Sequence, residues 1–197
     1  MSTRTALALL VVVLLVSATG AAAQSLNPGP PGPFVFDLRG VTSGVPSGAA
    51  FYPGLPDGAT VPTRGFGGGV GGHVYAGHVG AARLGLGAEF LVARGSTPDA
   101  RSMLMTVAPQ LSFNFGTSDG WSYLSAGVGA ARISLDPGRV AATVRSINYG
   151  GGARWFLRPR LGLGFDVRFH RMAAGGKAGA ETPASTAMSV SVGFSVK

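Results

Sequence analysis

From Phe34 to the C-terminus the chain alternates large apolar residues with small or polar ones at a period of two. That is the pattern of strands with two unlike faces. It is clearest at the end, where Met188, Val190, Val192, Phe194 and Val196 alternate with Ser189, Ser191, Gly193, Ser195 and Lys197. In Leu161–His170 the residues Leu161, Leu163, Phe165, Val167 and Phe169 oppose Gly162, Gly164, Asp166, Arg168 and His170. The same rhythm marks Phe34–Val41, Gly65–Tyr75, Arg83–Ala93, Met103–Phe115, Tyr123–Ile133 and Ile147–Leu157. Eight strands are predicted.

One face of these strands is large and apolar, and the other carries Gly, Ser, Ala and a few charges. A soluble sandwich would bury the large face and leave the small one to keep it in solution with few charges. Turned inside out, the large residues face lipid and the small ones fill a narrow lumen. Eight strands close a barrel whose interior just holds side chains, and closure removes the edges that lipid forbids. The connections alternate accordingly. Thr42–Arg64, Arg94–Ser102, Ser134–Thr143 and Arg171–Ala187 are long, while Ala76–Ala82, Gly116–Gly120 and Arg158–Arg160 are short. Aromatics gather at the strand ends: Phe34, Phe36, Phe113, Phe115, Trp121, Tyr123, Trp155 and Phe194 on the short-turn side, and Phe66, Phe90, Tyr149 and Phe169 on the other. Two such girdles mark the two membrane interfaces. The fold class is therefore all-β, an eight-stranded antiparallel up-and-down transmembrane barrel. A soluble lipocalin-like ligand-binding barrel is the rival reading.

Ahead of the barrel lies a different pattern. Arg4, the apolar run Ala6–Val16 and the small residues Ala21–Ala23 form a cleavable signal peptide over residues 1–23. The apolar run is too short for a membrane-spanning helix. Residues 24–33, QSLNPGPPGP, read as a Pro/Gly-rich periplasmic tether, and residues 34–197 as the barrel domain. Composition agrees. Only 12% of the 197 residues are charged, and Gly and Pro number 33 and 13, yet 46% are hydrophobic, too many for a disordered chain. There is no cysteine, which excludes a disulfide scaffold and a Cys-based zinc site. The net charge is +8, and 14 of the 16 cations are arginine. That balance points to a phosphate-bearing partner.

YLSAGVGAARI (Tyr123–Ile133) and NYGGGARWFLRPRLGLGFDVRFHR (Asn148–Arg171), with the final alternating strand, resemble the small eight-stranded outer-membrane barrels of OmpA/OmpX type. The resemblance covers residues 34–197. It implies a monomer in the bacterial outer membrane, in contact with outer-membrane lipid including lipopolysaccharide and inserted by the outer-membrane assembly machinery. The family often ends on an aromatic residue, whereas here Phe194 is followed by Ser-Val-Lys. The peptidoglycan-binding domain that some relatives append is not expected here.

Two groups of residues carry the candidate chemistry. Asp37, Arg39, Arg83, Glu89, Arg154, Asp166 and Arg168 fall on inward positions with nearly balanced signs. Buried charges persist when paired, so they are expected to form a network that plugs the lumen. Asp166 and Arg168 share one face and are expected to meet Arg39 or Glu89. Leakage is predicted after Asp166→Ala or Glu89→Ala. Arg94, Arg101, Arg139, Arg145 and Arg171 fall at the outer rim with Arg64, Arg132 and Lys177, where lipid phosphate contact is expected. The expected role is structural and surface-interacting. A narrow passive pore is the alternative, because inward Gly85, Gly87, Gly150, Gly152, Gly162 and Gly164 leave room for a thread of water.

Other chemistry is not expected. Gly65–Gly72 lacks the strand-loop-helix context of a nucleotide site. His73 and His78 lack a third metal ligand nearby. Asp166 and His170 lie about 13 Å apart along one strand, beyond hydrogen-bond reach, which leaves only Ser146 or Ser189 as cross-strand partners of a hydrolase site. No catalytic residue, cofactor, metal or nucleic-acid partner is assigned.

Overall fold

The computed structural model describes residues 30–137, 140–176 and 181–197. The expected signal peptide, most of the tether, Arg139 and Lys177 lie outside the described residues. Eight strands form one closed antiparallel barrel: β1 Phe34–Gly44, β2 Arg64–Val79, β3 Ala82–Ser96, β4 Arg101–Thr117, β5 Gly120–Asp136, β6 Val140–Phe156, β7 Leu161–Met172 and β8 Ser185–Val196. Each strand pairs with its sequence neighbours, and β1 closes on β8. A short 3-10 turn, Ala49–Phe51, sits in the first long connection.

The faces divide as the alternation requires. Leu38 and Val192 point outward at 58% and 60% exposure, while Arg154 and Arg168 are buried inside at 1%. A wall that exposes aliphatic side chains along its middle and buries the arginines at that level suits lipid, not water. The end that carries both chain termini and the short turns is the periplasmic end in such barrels.

The GFGGGVGG stretch is β2, an ordinary wall strand. The middle strands run beyond the expected limits. β4, β5 and β6 have 17 residues each, where about 9–11 suffice to cross a bilayer. The expected long loops Arg94–Ser102 and Ser134–Thr143 therefore shrink to tight hairpins, and Leu157 falls outside β6. The reason lies in the outward residues. Arg132, Ser134, Ala141 and Thr143 face out beyond the lipid, so the search for large lipid-facing side chains misses these segments. Their inward positions, Ile133, Leu135, Ala142 and Val144, are apolar and buried. Only the first and last outer connections remain long.

Candidate functional site: a filled lumen and an arginine belt

Charge occupies the middle of the lumen. Asp37 accepts from Arg154 Nε and Nη2 at 2.9 and 2.6 Å, from Arg39 Nη2 at 2.8 Å and from Ser195 Oγ at 2.6 Å. Arg39 also reaches Glu89 at 3.3 Å and Asp166 at 3.9 Å. Arg168 pairs with Asp166 at 3.0 Å and with Glu89 at 3.1 Å. It donates further to Ser125, Gln110 and Asn148. Tyr123 Oη donates to Asp166 at 2.8 Å.

Six of the seven inward charges are thus brought together, three carboxylates with three guanidinium groups. Arg83 is not among them. It lies half-buried at the periplasmic mouth, its guanidinium over the Tyr75 ring at 5.9 Å. Its position near the strand end takes it away from the carboxylates. Without it the signs balance fully.

Two aromatics change place. Trp121 and Tyr123, expected in the lower girdle, point inward and are buried. They share the parity of inward Ser125, a signal the sequence already contained. Trp121 stacks on Phe156 with centroids 4.9 Å apart and meets Tyr75 edge-on at 5.9 Å. Lys197 lies over Phe156 at 4.1 Å and donates to Ser118 O, covering this aromatic layer from the periplasmic side.

The outer part of the lumen is apolar, which the sequence reading missed. Leu104, Ile133, Leu135, Val144 and Met172 form a buried cluster, and Phe51 and Tyr52 of the first outer loop pack into it. Two of the inward glycines lie close against lumen side chains. A Cβ at Gly152 would stand 2.8 Å from the Tyr123 hydroxyl, and one at Gly87 would stand 2.7 Å from the His73 ring. The void beside Arg39, Glu89 and Asp166 measures about 10 Å³, at the lower limit for one water.

His170 Nε2 lies 3.1 Å from Ser189 Oγ, so one cross-strand pairing does occur. Both side chains are sealed inside the barrel, and His170 Nδ1 has no partner. A serine nucleophile needs its histidine oriented by a third group and a path for substrate; this pair has neither. His73 is buried in the lumen and His78 is exposed, so they do not face a common site.

On the outside, Arg64, Arg94, Arg132, Arg145 and Arg171 are all exposed. They stand on β2, β3, β5, β6 and β7. Register links them: Arg94 lies opposite Phe66 and Met103, Arg132 opposite Met105, Arg145 opposite Ala130, and Arg171 opposite Ile147. Each successive arginine slips two residues toward the periplasm, which offsets the tilt of the strands and keeps the five near one level. Arg101 stands further out on β4, opposite Asp136. None of these six joins an ion pair among the described residues.

No family model and no curated protein matches the sequence. Solved structures do match the fold. The Neisserial surface protein A superposes with a TM-score of 0.58 at 16% identity, over 84% of this chain and 97% of that one. Ail, the attachment invasion locus protein of Yersinia pestis, gives 0.53 at 13% identity, over 84% and 98%. Ail in complex with the heparin analogue sucrose octasulfate gives 0.51 at 12% identity, over 83% and 96%. The chain has the fold of the small eight-stranded outer-membrane β-barrels, and its outward apolar band suits it to that membrane.

Proposed function

We propose that this protein is a non-enzymatic structural and surface-interacting barrel of the outer membrane, with a closed lumen and an arginine belt on the phosphates of outer-leaflet lipid. The observation that carries the closed lumen is the balanced network of Asp37, Arg39, Glu89, Arg154, Asp166 and Arg168, which leaves a void of about 10 Å³ beside Arg39, Glu89 and Asp166. An ion that crosses would have to displace a carboxylate or a guanidinium from its partners, and separating a buried pair costs several kcal/mol. The belt supports the lipid contact. Five guanidinium groups near one level, without an ion-pair partner among the described residues, each offer two parallel hydrogen bonds to a phosphate.

Two measurements test this. In planar bilayers the purified barrel is expected to be electrically silent; steady unitary conductance would favour the passive pore instead. In flotation assays the barrel in small nanodiscs is expected to associate with lipopolysaccharide. Replacing Arg64, Arg94, Arg132, Arg145 and Arg171 with Gln is expected to weaken that association and flatten its salt dependence. Unchanged association at every salt concentration would refute the belt.

A further inference from the structure

The outer wall carries a groove of about 440 Å³ at the height of the acyl chains. Three consecutive glycines, Gly150–Gly152, lie along β6. Gly151 takes the outward position and leaves a gap between Leu124 of β5 and Val167 of β7, its partners in register. Phe165, Leu111 and Phe113 wall the gap. Tyr149 and Phe169 stack across its outer end with centroids 5.6 Å apart.

Two belt arginines stand directly outward along the same strands. Arg145 precedes Tyr149 on β6, and Arg171 follows Phe169 on β7. Arg171 lies opposite Ile147, so the two arginines are diagonal neighbours, about 7–8 Å apart at the backbone. One phosphate can bridge two guanidinium groups at that spacing. From Arg145 to Gly151 is six residues, about 20 Å of strand, within the reach of a long acyl chain. The clamp thus stands outward of the Tyr149–Phe169 stack, and the apolar slot runs from that stack along the same strands toward Phe113 and Phe165.

We propose that this face holds one lipid A, the phosphorylated and acylated anchor of lipopolysaccharide, with a phosphate on Arg145 and Arg171 and an acyl chain under the Tyr149–Phe169 stack in the Gly151 slot. The site rests on the belt reading above and adds a discrete seat to it. Ala126 lines the slot, is exposed, and lies opposite Tyr149, so Ala126→Trp fills the slot with an apolar side chain and leaves every arginine in place.

Native mass spectrometry of the detergent-purified barrel with added lipid A tests the seat. The wild type is expected to retain one lipid A. Ala126→Trp is expected to weaken retention roughly tenfold through lost chain burial, and Arg145→Gln with Arg171→Gln to weaken it as well. Heat-shifted migration on gels checks that each variant is folded, and Val167→Trp serves as the second slot-filling variant if Ala126→Trp is not. The deacylated, phosphorylated disaccharide is expected to bind more weakly than lipid A. Equal retention by the folded slot-filling variant overturns the seat, as does equal binding of the deacylated sugar. Phosphatidylglycerol retained in preference to lipid A overturns the assignment of the ligand. A dimer that the slot-filling variant dissolves assigns the groove to a second copy instead. The belt is judged separately, by flotation of the wild type and its five-Gln variant with lipopolysaccharide: if the belt effect persists while the slot variant retains lipid A, only the seat fails.

Discussion

Asp37 shows how one carboxylate organises the interior. It accepts four hydrogen bonds, three of them from Arg154 and Arg39. Its removal strands the Arg154 guanidinium in the lumen and leaves Arg39 with Glu89 and Asp166, and loss of one partner from a buried pair typically costs about 3–5 kcal/mol. Asp37→Ala is therefore expected to lower stability by about that amount in urea unfolding from lipid vesicles. Replacing Asp37 and Arg154 together by Leu and Met is expected to cost less than Asp37→Ala alone, because fewer charges are left unpaired. A double variant as unstable as the single one would show that the pair is not the unit of stability. The neighbouring network member Tyr123 gives its hydroxyl to Asp166 and its ring face to Arg154, 4.0 Å away, so it joins the two halves of the network.

At the scale of strands and loops, the alternation made the middle of every strand legible and hid the outer ends. Within the lipid, large residues such as Leu38, Leu86 and Val192 mark the outward face without ambiguity. Beyond the lipid the polarity reverses, with Ile133 and Val144 inward and Arg132 and Thr143 outward, and the same alternation reads as loop to a search tuned to lipid-facing residues. The charged network was legible because few inward positions carry charge. Its uncharged members, Gln110, Asn148, Ser125 and Ser195, look like any small polar lumen residue. The apolar cluster was hidden because its two aromatic members, Phe51 and Tyr52, come from a loop with no periodicity.

That loop is tied down from the side. Asp99, in the β3–β4 hairpin, accepts from the Thr60 backbone N–H at 2.8 Å and from Thr60 Oγ1 at 2.7 Å. These bonds, the backbone one first, hold its carboxyl below the ordinary carboxylate range. A depressed folded pKa means the tie is intact above the unfolded value, about 3.9, and is lost as pH falls through the folded value. In an NMR titration the Thr60 amide is expected to keep its shift through neutral and mildly acidic pH and to move only below the ordinary carboxylate range. In Asp99→Ala the amide is expected to sit at the released position throughout. A Thr60 amide that moves at the same pH in both proteins would show that Asp99 does not hold the loop.

On the scale of the whole barrel, side chains pack the lumen at three levels along one axis. The aromatic layer of Tyr75, Trp121 and Phe156 lies at the periplasmic end, the ion network in the middle, and the apolar cluster capped by Phe51 and Tyr52 at the outer end. Barriers in series are limited by the highest, so opening one layer leaves the others to set the flux. This revises the leakage expected from the charges alone. Glu89→Ala takes one carboxylate from Arg39 and Arg168, which keep Asp37 and Asp166, and opens the middle layer, yet the apolar cluster of Leu104, Ile133 and Met172 still faces any ion that enters from outside. Glu89→Ala by itself is therefore expected to remain silent in a planar bilayer. Phe51→Ser with Tyr52→Ser removes the loop side chains from the outer cluster but leaves the network whole, and is also expected to be silent. Combined with Glu89→Ala, and with Trp121→Ala to thin the periplasmic layer, the barrel is expected to pass current. Without Glu89 three guanidinium groups face two carboxylates along that path, so the current should favour anions. Conductance from Glu89→Ala alone would show that the network is the only effective barrier, and that the aromatic and apolar layers pack the lumen without sealing it.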